Sequence, residues 1–298
     1  MLSKLGDIKG RIVDHVGTPI SGASVKLQKY SNELETVLTK LDGSYNFSDV
    51  IPSGSIHGYS ILVSAEGYSN GGSNDWVSVR SGLTTTVDLT LNKLSTITGR
   101  VVDDLGSPIS GASITLDGIY NNLDKYGITT DKYGYYSIPN VYTSDYSYKI
   151  IASAPYHVKN IISDVVVSEF GTTISNMNLS LDRYGVISGQ VTDATGSPLY
   201  SWISFISNGQ SIDYDQTDSQ GYYSVTVPPG TYTMKIGTIS YDDQFKIITV
   251  EKGQSVTLNI QFGVVDQNGD GIIDLYDIVS VSKTNPSIIS EYIKRYGQ

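Results

Sequence analysis

The chain repeats itself three times, and the length of the repeat limits what it can build. "IKGRIVDHVGTPISGASVKL" from Ile8 returns as "ITGRVVDDLGSPISGASITL" from Ile97 and as "ISGQVTDATGSPLYSWISFI" from Ile187. Gly10, Gly99 and Gly189 lie 89 and 90 residues apart. Asp14, Asp103 and Asp193 keep the same offset, as do Gly17, Gly106 and Gly196, and Pro19, Pro108 and Pro198. Solenoid units run to some 20–50 residues, so a period this long marks a whole small domain. The sequence predicts repeats at 1–94, 95–184 and 185–263, followed by a different segment at 264–298.

Inside each copy the apolar period is two, the pattern of a half-buried strand. Ile97, Gly99 and Val101 share one face, and Thr98, Arg100 and Val102 the other. The stretch from aspartate to proline reads as a turn, with glycine supplying positive φ and proline fixing φ. A second landmark recurs as "DGSYNF", "KYGYYSI" and "SQGYYSV", a turn glycine followed by alternating aromatic and aliphatic residues. In the third copy Tyr232, Met234 and Ile236 alternate, as do Val256, Leu258, Ile260 and Phe262. About seven short strands per copy, with turns every 8–12 residues or so, predict antiparallel β-sandwiches. The fold class expected is all-β, with no helix before residue 270. The short joints "LNKLST" and "LDRYGV" predict an end-to-end, semi-rigid arrangement.

At "SGQVTDATGSPL" and "TDSQGYYSVTVPPGTYTMKI" the chain resembles the carboxypeptidase regulatory-like domain. This is a transthyretin-like sandwich related to the B-type repeats of collagen adhesins. The resemblance covers about residues 7–262 and is looser after residue 50 in the first copy. It implies a seven-stranded Greek-key sandwich and a non-catalytic role as spacer, stalk or binding module. Two departures stand out. Ser201-Trp202 replaces Gly22-Ala23 and Gly111-Ala112, which implies either a shifted strand register or an exposed aromatic ring. Collagen-adhesin repeats often carry a Lys–Asn cross-link. Here the first-strand lysine survives only as Lys9, with Thr98 and Ser188 near the corresponding places, so no isopeptide bond is expected.

The last segment opens with "VVDQNGDGIIDLYD". Asp266, Asn268 and Asp270 place oxygen donors at every second position, and Gly271 permits a sharp turn. Ile272 offers a backbone carbonyl, Asp274 follows, and Asp277 closes the twelve-residue loop. Calcium takes six to eight hard oxygen ligands in a flexible cage, which this spacing supplies. Magnesium accepts fewer protein ligands, so calcium is the ion expected. A turn-rich linker is the alternative reading of "NGDG" alone. Beyond the loop, Asn285 and Pro286 suit a helix start and Gly297 a helix end. Ile288, Ile289, Tyr292, Ile293 and Tyr296 then recur at three- and four-residue steps, forming an apolar face that needs a partner. A calcium loop closed by aspartate and followed by a helix resembles half a dockerin, the module that docks onto cohesin. Leu275 and Tyr276 stand where a small hydroxyl pair is usual.

Lys and Arg total 20 against 30 Asp and Glu, a formal charge of −10. Such a surface repels nucleic acid and anionic lipid. The chain has no cysteine, and no apolar run long enough to span a bilayer. These features, with abundant uncharged hydroxyl side chains, predict an extracellular or cell-surface protein whose signal peptide has been removed. His15, His57 and His157 fall in no zinc-binding arrangement, and no nucleophile elbow, P-loop or dinucleotide fingerprint occurs. The Asp103-Asp104 pair and "YDDQF" suit turns better than acid–base work. The chain is therefore read as a non-enzyme. Trp76 and Trp202 are either core residues or exposed platforms for sugar stacking. The leading reading is a structural stalk whose calcium-binding tail orders itself or docks onto another subunit. The alternative is a polysaccharide-binding module accessory to an enzyme.

Overall fold

A computed structural model describes residues 4–53, 58–118, 125–239 and 241–263. Among them the chain is all-β: six sheets form three tandem sandwiches. In the first repeat the strand Gly6–Asp14 pairs antiparallel with Ser44–Val50 and parallel with Thr84–Thr86 and Leu89–Leu91. The facing sheet runs Asn32–Leu38, Ser24–Lys29, Ser60–Ser64, Gly71–Gly72. The third repeat copies this plan. Gly185–Asp193 lies between Tyr222–Val227 and the two short strands Ser255–Thr257 and Ile260–Phe262. It faces a sheet ordered Gln210–Gln216, Ser201–Ser207, Gly230–Thr238, Gln244–Val250.

The alternation read from the sequence fills these cores. Ile8, Ile12, Val25, Phe47, Ile61 and Leu91 close the first, and Ile187, Val191, Phe205, Met234, Ile236 and Phe262 the third. Ile97, Val101, Ile114 and Ile138 are equally buried in the second.

Seven strands were expected per repeat, and the described residues carry eight, because the last strand is interrupted at a fixed place. The interruption is specified by side chains. Tyr45 Oη donates to the carbonyl of Val87 at 2.7 Å, Tyr136 to Met177 at 2.5 Å and Tyr223 to Leu258 at 2.6 Å. The next residue substitutes its side chain for the ladder. Asp88, Asn178 and Asn259 accept the backbone N–H of Arg11, Arg100 and Gln190 at 2.8, 2.9 and 3.0 Å. The first strand passes so close that a β-carbon on Gly10, Gly99 or Gly189 would overlap the same carbonyl that the tyrosine caps. The repeated glycine, tyrosine and short amide or acid are thus one device. The carbonyls of Lys9, Thr98 and Ser188, one residue earlier, accept the N–H of Val87, Met177 and Leu258.

The joints are built alike. Tyr68 and Lys93 form a β-bridge, and Gly67 and Ser69 bond Leu94 and Asn92. At the next joint His157 bridges Arg183, and Tyr156 and Val158 bond Tyr184 and Asp182. The N–H of Gly171 then binds the Lys93 carbonyl, and that of Gly253 the Arg183 carbonyl. The chemistry around this scaffold differs. His15 and Phe170 meet as rings 5.2 Å apart at the first joint. At the second, Arg183 grips Asp104 with two bonds of 2.8 and 3.0 Å, and Lys252 reaches Asp182 at 2.9 Å. The Arg183 guanidinium holds the Asp104 carboxyl well below the usual carboxylate range.

Candidate binding face

Residues Asp266, Asn268, Asp270, Ile272, Asp274 and Asp277 lie outside the described residues, as do His57 and the expected helices. Among the described residues no group of three or more His, Asp or Glu is placed to hold a metal ion. The repeated aspartates serve their turns. Asp14 Oδ1 accepts the N–H groups of Val16 and Thr18, Asp103 those of Leu105 and Ser107, and Asp193 those of Thr195 and Ser197. Asp104 is committed to Arg183, and His157 Nδ1 lies 2.7 Å from the carbonyl of Pro155.

The tryptophans turn out not to fill cores. Trp76 is 54% exposed and Trp202 40%. The Trp202 environment comes from a one-residue shortening of the turn, so Ser201-Trp202 does not stand at Gly22-Ala23, as the sequence offsets suggest, but one position further on. A buried threonine fixes the register. Thr39 Oγ1 accepts the N–H of Ala23 and donates to the carbonyl of Ile20. Thr130 does the same for Ala112 and Ile109, and Thr217 for Ser201 and Leu199. Ser201 therefore occupies the place of Ala23 and Ala112, fully buried, and Trp202 that of the outward-facing Ser24. The lost residue is the positive-φ glycine, Gly22 or Gly111, of the sister turns.

Register then defines a face. On the outer side of the third repeat's sheet, Trp202 pairs across to Gln216 and Gly237, Ser204 to Tyr214 and Lys235, and Ile206 to Thr233. Lys235 continues to Phe245 and Thr233 to Ile247. Tyr214, Phe245 and Ile247 are 76%, 60% and 80% exposed. Gly237 leaves room for the indole to lie over the backbone, since a β-carbon there would come within 2.8 Å of Trp202 Cε2. Lys235 and Asp243 pair at 2.8 Å beside it. At this exposure such a pair contributes well under about 1 kcal/mol, so it frames the face more than it stabilises it. The corresponding positions of the first repeat are Ser24, Lys26, Gln28, Thr36, Leu62 and Ser60, with Lys26 paired to Glu33 at 2.8 Å. No aromatic residue stands among them.

Fold and face define a tandem β-sandwich protein whose repeats share a core and differ on the surface. The chain belongs to the carboxypeptidase regulatory-like domain family, whose model matches residues 7–92, 96–181 and 186–263. No curated protein matches it. Among solved structures it is similar to the TIE protein of Bacillus anthracis, at 16% identity over 87% of this chain with a TM-score of 0.32. The chain spans 50% of that structure's length. It is similar also to a streptococcal ancillary pilin, at 12% identity over 85% of this chain and 99% of the other, TM-score 0.38. The major pilin BcpA of Bacillus cereus aligns at 13% identity over 87% and 99%, TM-score 0.26.

Proposed function

We propose that this chain is a non-catalytic extracellular stalk of tandem sandwiches, ended by a segment that binds calcium. The joint carries this reading. The same β-bridge, flanking backbone bonds and glycine contact pin the linker at residues 92–94 and again at 182–184, although the side chains around the two have been exchanged for different chemistry. A connection retained in backbone while its side chains change suits a spacer between repeats.

Calcium in this reading is held by Asp266, Asn268, Asp270, Asp274, Asp277 and the Ile272 carbonyl, and its work is to order the tail or to dock it onto another protein subunit. What supports it is the ligand spacing in the sequence. The test is a melting curve and a sedimentation run, in calcium and in chelator, on the whole chain and on a version ending at Phe262. A calcium-dependent rise in melting temperature confined to the whole chain is expected. A particle size unchanged by calcium would remove the assembly role, and turnover of a glycan or peptide would remove the non-enzyme reading. A second reading, polysaccharide binding, is favoured by the exposed Trp76 ring; titration with cell-wall polysaccharide while following Trp76 emission in a Trp202→Phe background tests it.

A further inference from the structure

We propose that the edge strand Gln244–Val250 of the third repeat pairs with the same strand of a second copy of this chain, antiparallel about a two-fold axis at Ile247. The inference is independent of the stalk reading and of the calcium ion. A sheet edge with unused backbone groups invites another strand, and folds block it with short strands, bulges or charge. The facing sheets of the three repeats end in six edge strands. In the first repeat one edge is the two-residue strand Gly71–Gly72, and the other, Asn32–Leu38, carries a register shift, Glu33 and Glu35. In the second, Lys125–Thr129 and Asn160–Val165 both shift register, and they hold the positive-φ residues Gly127 and Asp164. In the third, Gln210–Gln216 has a shift, Asp213 and Asp215. Gln244–Val250 has none of these devices. It pairs residue by residue with Gly230–Thr238 without a shift, holds no acid, and has no neighbour on its other side among the described residues. In a chain of formal charge −10, an acid-free stretch is where two copies repel each other least.

The hydrogen bonds of the sheet show which groups this edge offers. The Thr217 N–H donates to the Ser201 carbonyl at 3.0 Å, and the Ser201 N–H turns the same way, to Thr217 Oγ1. Bonding direction alternates along a strand. Trp202, Ser204 and Ile206 therefore bond toward Gly237, Lys235 and Thr233, and Tyr232, Met234 and Ile236 toward Ile248, Lys246 and Gln244. In the first repeat Ile61, the counterpart of Met234, directs its backbone groups to the same side, where Ser73 meets both. Phe245, Ile247 and Thr249 are thus left with N–H and C=O pointing away from their own sheet.

These residues match themselves. A two-fold axis at Ile247 sets it opposite Ile247 of the second copy, and Phe245 opposite Thr249. Each such pair exchanges two backbone bonds. Phe245 and Ile247, 60% and 80% exposed, would then pack across the new junction on the outer face. Lys246 falls opposite Ile248 of the second copy, so no like charges meet. The operation closes on itself and yields a dimer, not a fibre.

The chain has no cysteine, so one added thiol reports by itself. Cα atoms of a hydrogen-bonded pair lie about 5.5 Å apart, within the span of a disulfide. Ile247→Cys is expected to oxidise to a covalent dimer roughly tenfold faster than Ile161→Cys, an exposed edge residue of the second repeat. Phe245→Cys should stay slow alone and cross-link when mixed with Thr249→Cys, which fixes the register. The unaltered chain should sediment as monomer and dimer, in calcium and in chelator alike. Ile247→Lys sets two lysines face to face and should leave monomer with an unchanged urea transition. Ile247→Cys no faster than Ile161→Cys overturns the proposal, as does a dimer that survives Ile247→Lys. A persistent monomer whose amides at 245, 247 and 249 resist hydrogen exchange also overturns it, and assigns the edge to another segment of the same chain. Dimerisation that needs calcium overturns it too, and assigns assembly to the metal-binding segment.

Discussion

The first and third repeats carry the same inner frame and opposite outer faces. Gly10 and Gly189, Thr39 and Thr217, Tyr45 and Tyr223 make matching contacts to within a few tenths of an ångström. Yet Ser24, Lys26 and Leu62 of one surface face solvent where Trp202, Ser204 and Lys235 stand in the other, with Phe245 and Ile247 beside them. Inward positions are fixed by packing against the facing sheet, since a side chain there has no alternative to fitting. Outward positions are free of that constraint, so what accumulates on them records the surroundings each repeat meets. The two regions teach that the fold is specified by a few interlocking backbone contacts, and that difference in use is written elsewhere.

The largest effect should come from attacking the frame. Gly189→Ala puts a β-carbon onto the Leu258 carbonyl, and separating the strands to admit it should cost about 3 kcal/mol or more. Gly10→Ala meets Val87 in the same way. Urea unfolding followed by Trp202 and Trp76 emission should lose the transition of the repeat that was changed. A tolerated alanine at either position would break the idea of a common frame. Next in size is Thr217→Val, which leaves the Ser201 N–H and the Leu199 carbonyl without their partner, at about 1–3 kcal/mol. Thr39→Val should cost the same. A markedly unequal pair would mean that the shortened turn of the third repeat has redistributed the load.

Alkali sharpens the comparison further. Burial pushes the hydroxyls of Tyr45, Tyr136 and Tyr223 well above the usual tyrosine value, and Asp88 adds to the effect at Tyr45. A group whose folded pKa is raised contributes stability that is complete below its unfolded value, about 10, and is lost as pH climbs through the folded value. All three repeats should therefore weaken above about pH 10. Tyr223→Phe should cost about 1 kcal/mol at neutral pH and reduce the alkaline sensitivity of the third repeat alone, the rest staying with Tyr232, whose hydroxyl burial also pushes up. Melting temperature measured between neutrality and strong alkali tests both parts, and an alkaline loss undiminished by the substitution would count against the tyrosine clip.

How much of this was legible beforehand follows from the same division. The three sandwiches, the all-β class and the inward residues could be read because burial imposes a period of two and the repeat shows it three times. The clips were partly legible: Thr39, Thr130 and Thr217 each stand four residues before a turn glycine, but a lone threonine has no pattern that marks it as buried. The surface could not be read, because nothing periodic distinguishes an outward tryptophan from a core one. The misplacement of Ser201-Trp202 has one cause. The turn before it lacks a residue, which constant glycine offsets upstream do not show, and the threonine bond reveals which position Ser201 takes.

That position yields the smallest effect and the sharpest. Ser201 stands where both sister repeats have alanine, its side chain fully buried and its Oγ without a hydrogen-bond partner among the described residues. The Thr217 hydroxyl is committed elsewhere: it accepts the Ser201 N–H and donates to the Leu199 carbonyl. A buried hydroxyl that is not bonded costs more than the methyl that would replace it, so Ser201→Ala should stabilise the third repeat by about 1 kcal/mol. Its urea midpoint should rise with an unchanged slope, since no further surface is exposed. The reverse change, Ala23→Ser, should lower the midpoint of the first repeat by a similar amount. If Ser201→Ala proves destabilising instead, the hydroxyl has a partner in solution, and the third repeat departs from its sisters inside as well as outside.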